Sequence, residues 1–148
     1  MTPWIRTGCA AAAAALSFSS LMLGQVPSPV GAWRSYEDKT GQPKSIIEIT
    51  EINGELQGKV GRVFSPPAPS ANPLCERCTG ERKNKPIVGM QILWGVKKDG
   101  DEYGGGHIFD LDTGKEFRAK LKLIDGGKKL EVRGSVGPFG RTVTWTRE

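Results

Sequence analysis

The chain has 148 residues, a formal net charge of +5, a single histidine and three cysteines, with 37% hydrophobic and 25% charged residues. That length suits one domain with one core. Basic residues spread along the chain without interleaved aromatics argue against a single-strand nucleic-acid platform, and one histidine beside so few cysteines leaves a tetrahedral zinc site short of ligands.

Residues 1–24 read as a secretory signal peptide. Arg6 supplies the positive start, Gly8 to Leu23 is apolar or small throughout, and small or polar residues follow, which places cleavage after Gly24. The run falls short of the ~20 apolar residues that a spanning helix needs, so no stable membrane insertion is expected after cleavage. Cys9 sits too early for a lipoprotein acylation site. The protein is therefore expected to be exported, to the periplasm or the medium. Pro27 and Pro29 mark residues 25–30 as a short unstructured lead-in, and residues 31–148 form the single domain.

From Gly31 onward the signals are strand signals. Gly31 to Glu37 opens the series, and Lys44 to Ile52 is followed by Asn53-Gly54, the pair best suited to a type I′ hairpin turn. Glu55 to Phe64 returns antiparallel. Ser65 to Pro86 is the one long irregular segment, its prolines at 66, 67, 69, 73 and 86 denying it a place inside a sheet. Met90 to Val96 and a weaker, glycine-loosened Tyr103 to Phe109 follow. Phe117, Ala119, Leu121 and Leu123 alternate with Arg118, Lys120 and Lys122, the pattern of a half-buried strand. Leu130 to Val136 repeats it, Gly137 to Gly140 turns the chain, and Arg141 to Glu148 runs beside the first strand.

Eight short strands joined mostly by tight turns predict an all-β fold, an eight-stranded antiparallel up-and-down barrel whose last strand pairs with its first and so removes both exposed edges. A two-sheet β-sandwich is the competing architecture. The connectivity sorts the loops by end. The glycine turns at 53–54, 97–101 and 125–127 close the bottom with both domain termini, and the loops at 38–43, 65–86, 110–114 and 137–140 surround the top, where any mouth must be.

Gly31-x-Trp33, with a basic residue late in the final strand, resembles the signature of the lipocalin and avidin-like barrels. That resemblance implies that Trp33 plugs the closed end and Arg147 packs over it. A broader resemblance runs over nearly all of residues 31–148. Asp38 to Lys44, Asn72 to Ile87 with its Cys75-x-x-Cys78, Ile92 to Gly95 and Gly140 to Arg147 look like the exported bacterial family called domain of unknown function 2147. It implies a lipocalin-like barrel and carries no established activity.

The inward phase selects Trp33, Ile47, Ile49, Val60, Ile92, Trp94, Phe117, Leu121, Val132, Val143 and Trp145, which either fill the barrel or line a cavity. The same phase turns Arg62 and Arg141 inward near the top, where Glu37 or Asp110 could pair with them. Left unpaired, they would face an anionic group, to which a planar guanidinium is suited. The expected ligand site is thus Arg62, Trp94, Phe117 and Arg141, holding a small hydrophobic or amphipathic acid. The alternative is a cell-envelope interaction module with a filled barrel, presenting Glu76 to Lys85 of the 75–86 loop.

No catalytic constellation, metal site or cofactor motif is recognised. His107 follows three glycines without the Lys-Ser/Thr of a phosphate loop and has no partnered nucleophile. Cys75 and Cys78 are expected to form a structural disulfide, as an exported protein meets an oxidising compartment and no helical pattern follows the pair to lower a thiol pKa for redox work.

Overall fold

The computed structural model describes residues 26–64 and 72–148. The expected signal peptide and the prolines at 66, 67 and 69 lie outside the described residues. Eight strands follow one another along the chain: β1 (Gly31–Tyr36), β2 (Pro43–Ile52), β3 (Glu55–Val63), β4 (Gln91–Asp99), β5 (Glu102–Asp110), β6 (Lys115–Ile124), β7 (Lys129–Val136) and β8 (Phe139–Arg147). Each pairs antiparallel with the next, and β8 pairs with β1 to close an up-and-down barrel. The barrel is therefore the architecture, and the sandwich is excluded.

Local chemistry explains the regular parts. On β6, Ala119 and Leu121 are buried while Arg118, Lys120 and Lys122 are exposed, and the register with β7 runs unbroken from Arg118↔Ser135 to Ile124↔Lys129. Asn53 and Gly54 have φ of 52° and 79°, the positive values that a type I′ turn demands. The glycine run near 105 does not break β5, which reaches nine residues. A register shift against β6 between Tyr103 and Gly106 absorbs it as a bulge. Gly137-Pro138 alone turns the last hairpin, with Val136 opposite Phe139, so β8 starts two residues before the expected Arg141.

The closing seam has only two register pairs, Trp33↔Arg147 and Arg34↔Thr146. Side chains reinforce it. Arg34 donates to the Glu148 carboxylate through Nε at 2.9 Å and Nη2 at 2.5 Å, and this bond raises the Arg34 pKa above its ordinary value. The Tyr36 and Thr146 hydroxyls meet at 2.6 Å.

The core is denser at one end. Trp33, Ile49, Leu56, Val96, Leu121 and Leu130, all at most 2% exposed, occupy the lower half. Above them the inward residues shrink as the strands climb, from Trp33 to Ser35 on β1, from Ile49 and Ile47 to Ser45 on β2, and from Leu130 through Val132 to Gly134 on β7. A barrel of this strand number can only just be filled by its side chains, so small residues on three strands leave a hollow.

Candidate ligand cup

The lower end is stoppered. The Trp33 indole is 0% exposed, and its Nε1 donates to the Pro29 carbonyl at 2.7 Å. The Arg147 guanidinium lies 4.2 Å from the Trp33 ring centre, within the range of a cation–π contact. It donates from Nη1 to the Val30 carbonyl at 3.0 Å, from Nη2 to the Ser28 carbonyl at 2.7 Å and from Nε to the Gly127 carbonyl at 2.9 Å. One side chain thereby fastens the lead-in and the β6–β7 turn beneath the tryptophan.

The upper half holds a cavity of about 520 Å³, open at the top, within the size range of small-molecule sites. Its walls are Ile47, Ile92, Ile108, Phe117, Val132, Val143 and Trp145. Val136 and Phe139, at the tip of the β7–β8 hairpin, form an apolar lip, Phe139 being 79% exposed. On the wall formed by β1 and β2, Ser35 and Ser45 face inward with their hydroxyls 2.6 Å apart, and the Ser45 carbonyl oxygen lies 3.3 Å from Ser35 Oγ as an alternative acceptor for its proton. Two ion pairs stand at the rim, Lys44 with Asp112 and Arg141 with Asp38. The first joins β2 to the β5–β6 turn, across the mouth.

The four expected ligand residues do not converge. Phe117 and Arg141 line the cavity, whereas Trp94 and Arg62 do not. Trp94 faces outward, its ring stacked on His107 at 5.8 Å and capped by Arg82 at 5.2 Å. The cause is two extra residues in β4: Leu56 pairs with Val96 but Gly58 with Leu93, a shift beside Gly95 that turns Trp94 out and Leu93 in, and Lys59 then pairs with Gln91, leaving Ile92 as a bulged residue that also faces the cavity. Arg62 is displaced in the same way. Ile47 pairs with Val60 but Ile46 with Arg62, leaving Gly61 as the extra residue of β3 and turning Arg62 out onto the Phe64 ring at 4.7 Å. Arg141 reaches the mouth but pairs with Asp38, not with Glu37 or Asp110. Asp110 instead caps its own turn, accepting from the Asp112 amide and the Thr113 hydroxyl, each at 2.9 Å. The two serines are not among the residues that the sequence pattern singles out, although Ser35 stands two residues above Trp33 and Ser45 two before Ile47, in the inward phase of both neighbours.

Cys75 and Cys78 are joined in a disulfide and are 2% and 1% exposed. Around them the loop pairs with itself, Cys75 N–H to the Lys85 carbonyl at 2.8 Å and Asn84 N–H to the Cys75 carbonyl at 3.0 Å. Its cations fasten it. Arg77 donates to the Asp112 carbonyl at 3.0 Å, Arg82 covers Phe109 at 4.4 Å, and Lys83 bonds the Glu76 carbonyl. Gly114 admits the loop at close quarters: a Cβ there would stand 2.2 Å from the Arg77 carbonyl oxygen. His107 lies 3.9 Å from Glu116, with both side chains more than two-fifths exposed. Among the described residues no group of three or more His, Cys, Asp or Glu could hold a metal ion.

Residues 31–147 match the model of a family described as "Uncharacterized protein conserved in bacteria", domain of unknown function 2147. The chain belongs to that family. Among solved structures it is similar to "Protein HP1028 from the human pathogen Helicobacter pylori belongs to the lipocalin family", with a TM-score of 0.66 and 22% identity over 84% of this chain and 83% of that one. At that identity the likeness speaks for the lipocalin-like fold. No curated protein matches the chain. Among the described residues no helix is long and apolar enough to cross a membrane.

Proposed function

We propose that this member of the family is an exported, non-enzymatic binding protein that holds one small hydrophobic molecule in the upper half of its barrel. The observation that carries the reading is the apolar cavity of about 520 Å³, stoppered below by Trp33 and Arg147 and open only above. The lip of Val136 and Phe139 gives such a molecule an apolar path in. The leader before residue 25 and the buried disulfide support an oxidising, exported setting. The amphipathic-acid version of this reading loses its support, because Arg62 is outside and Arg141 already has a carboxylate. The interaction-module reading is weaker for a similar reason. Arg77, Arg82 and Lys83 hold the loop to itself and to the barrel.

Titration with the neutral dye N-phenyl-naphthylamine tests the reading. Fluorescence should rise and saturate at one dye per chain. It should stay flat with Val143→Trp, which fills the cup, while the thermal melt of that variant remains cooperative. Absence of any rise with the unaltered protein sinks the proposal.

A further inference from the structure

We infer that the ligand of the cup is electrically neutral and carries a hydrogen-bonding group, a hydroxyl or carbonyl, that docks on the Ser35–Ser45 hydroxyl pair. The inference rests on the binding reading above and narrows it to a chemical class.

Two observations converge on it. The first is charge. The charged residues that line the cavity are Asp38, Lys44, Asp110, Asp112 and Arg141, all at its upper rim. Lys44 is paired with Asp112 and Arg141 with Asp38, while Asp110 is engaged by the Asp112 amide and the Thr113 hydroxyl. Asp110 keeps its charge at the rim, but below the rim the lining carries none, so an ionised head docked at the depth of the serine pair would lose its water without meeting an opposite charge, and an unpaired buried ion is very costly. The cup therefore selects against acids and amines alike.

The second observation is the serine pair. Among the described residues Ser35 and Ser45 are the buried polar residues, 7% and 8% exposed. Both face a wall that is otherwise Ile47, Val132, Val143 and Trp145. Each hydroxyl has one proton and two acceptor sites. At 2.6 Å one hydroxyl donates to the other. If Ser35 gives its proton to Ser45 Oγ, the Ser45 proton is free for a ligand acceptor. If Ser45 donates instead, Ser35 uses its own proton on the Ser45 carbonyl, and unused lone pairs on both oxygens accept from a ligand hydroxyl. The pair can thus donate or accept by rotation of two hydroxyls, which suits an alcohol or a carbonyl and does nothing for a pure hydrocarbon.

The test displaces N-phenyl-naphthylamine from the full chain with decanol, decanoate and decylammonium at neutral pH. Decanol should compete at least about tenfold more tightly than either ion. In the double variant Ser35→Ala with Ser45→Ala, decanol should weaken by about five- to tenfold relative to the dye's own affinity measured in that variant, the worth of a hydrogen bond or two. Ser45→Thr alone, which keeps a hydroxyl, should retain most of the decanol affinity. Decanoate or decylammonium competing as well as decanol overturns the inference and leaves the binding reading standing. So does an unaltered decanol affinity in the double variant. Failure of the dye to bind the unaltered protein removes the binding reading and this inference with it.

Discussion

The lower half of this barrel is packed and the upper half is hollow, although the same eight strands build both. Below, Trp33, Leu56, Val96, Leu121 and Leu130 are large side chains shut off from solvent, each at most 2% exposed. Above, the same strands place Ser35, Ser45, Val132 and Gly134 around a cavity. Strand number sets the diameter, so it is side-chain volume along each strand that decides where the tube is solid. One end supplies stability and the other supplies space, and the two jobs can be broken separately.

The largest effect should come from the stopper. Trp33→Ala removes a fully buried indole with its bond to Pro29 and should cost about 3–5 kcal/mol in urea unfolding. A loss below about 1 kcal/mol would show that the lower half does not carry the fold. A matched pair of truncations sharpens the comparison. Leu121→Ala, in the filled half, should cost about 2–5 kcal/mol, whereas Ile108→Ala, only partly buried and already facing the hollow, should cost roughly 1 kcal/mol. Equal costs would mean that the two halves are packed alike.

Much of this division was legible in the sequence. The alternation from Phe117 to Leu123 and the Asn53-Gly54 turn specify strands and a hairpin through purely local chemistry, and Gly31-x-Trp33 with Arg147 points to the closed end. Trp94 and Arg62 face outward where strict alternation predicts inward, because their orientation depends on bulges, which reverse the two-residue period without any change of hydrophobicity. Gly58, Gly61 and Gly95 inside strands were the available hint, since glycine in a strand interior often marks a bulge. The hollow itself follows from summed volumes across neighbouring strands, which no single strand pattern displays.

A smaller effect should follow from Arg147→Met. The substitution keeps an apolar cover on Trp33 but deletes three carbonyl contacts, and at an exposed position this should cost about 2 kcal/mol with no change in dye binding. A cup that loses its dye would tie the two ends together. The smallest effect concerns the upper loop. Reducing Cys75–Cys78 opens a very short ring worth roughly 2 kcal/mol or less, so the urea midpoint should fall slightly. Collapse of the whole barrel on reduction would contradict a merely local role.

The division between a solid base and a hollow top is tested most directly by equilibrating crystals of the protein with xenon, which enters apolar cavities. Xenon density should appear among Ile47, Ile92, Phe117, Val132 and Trp145 and nowhere between Trp33, Leu121 and Leu130. Density in the base, or a top that stays empty of xenon, would contradict the account.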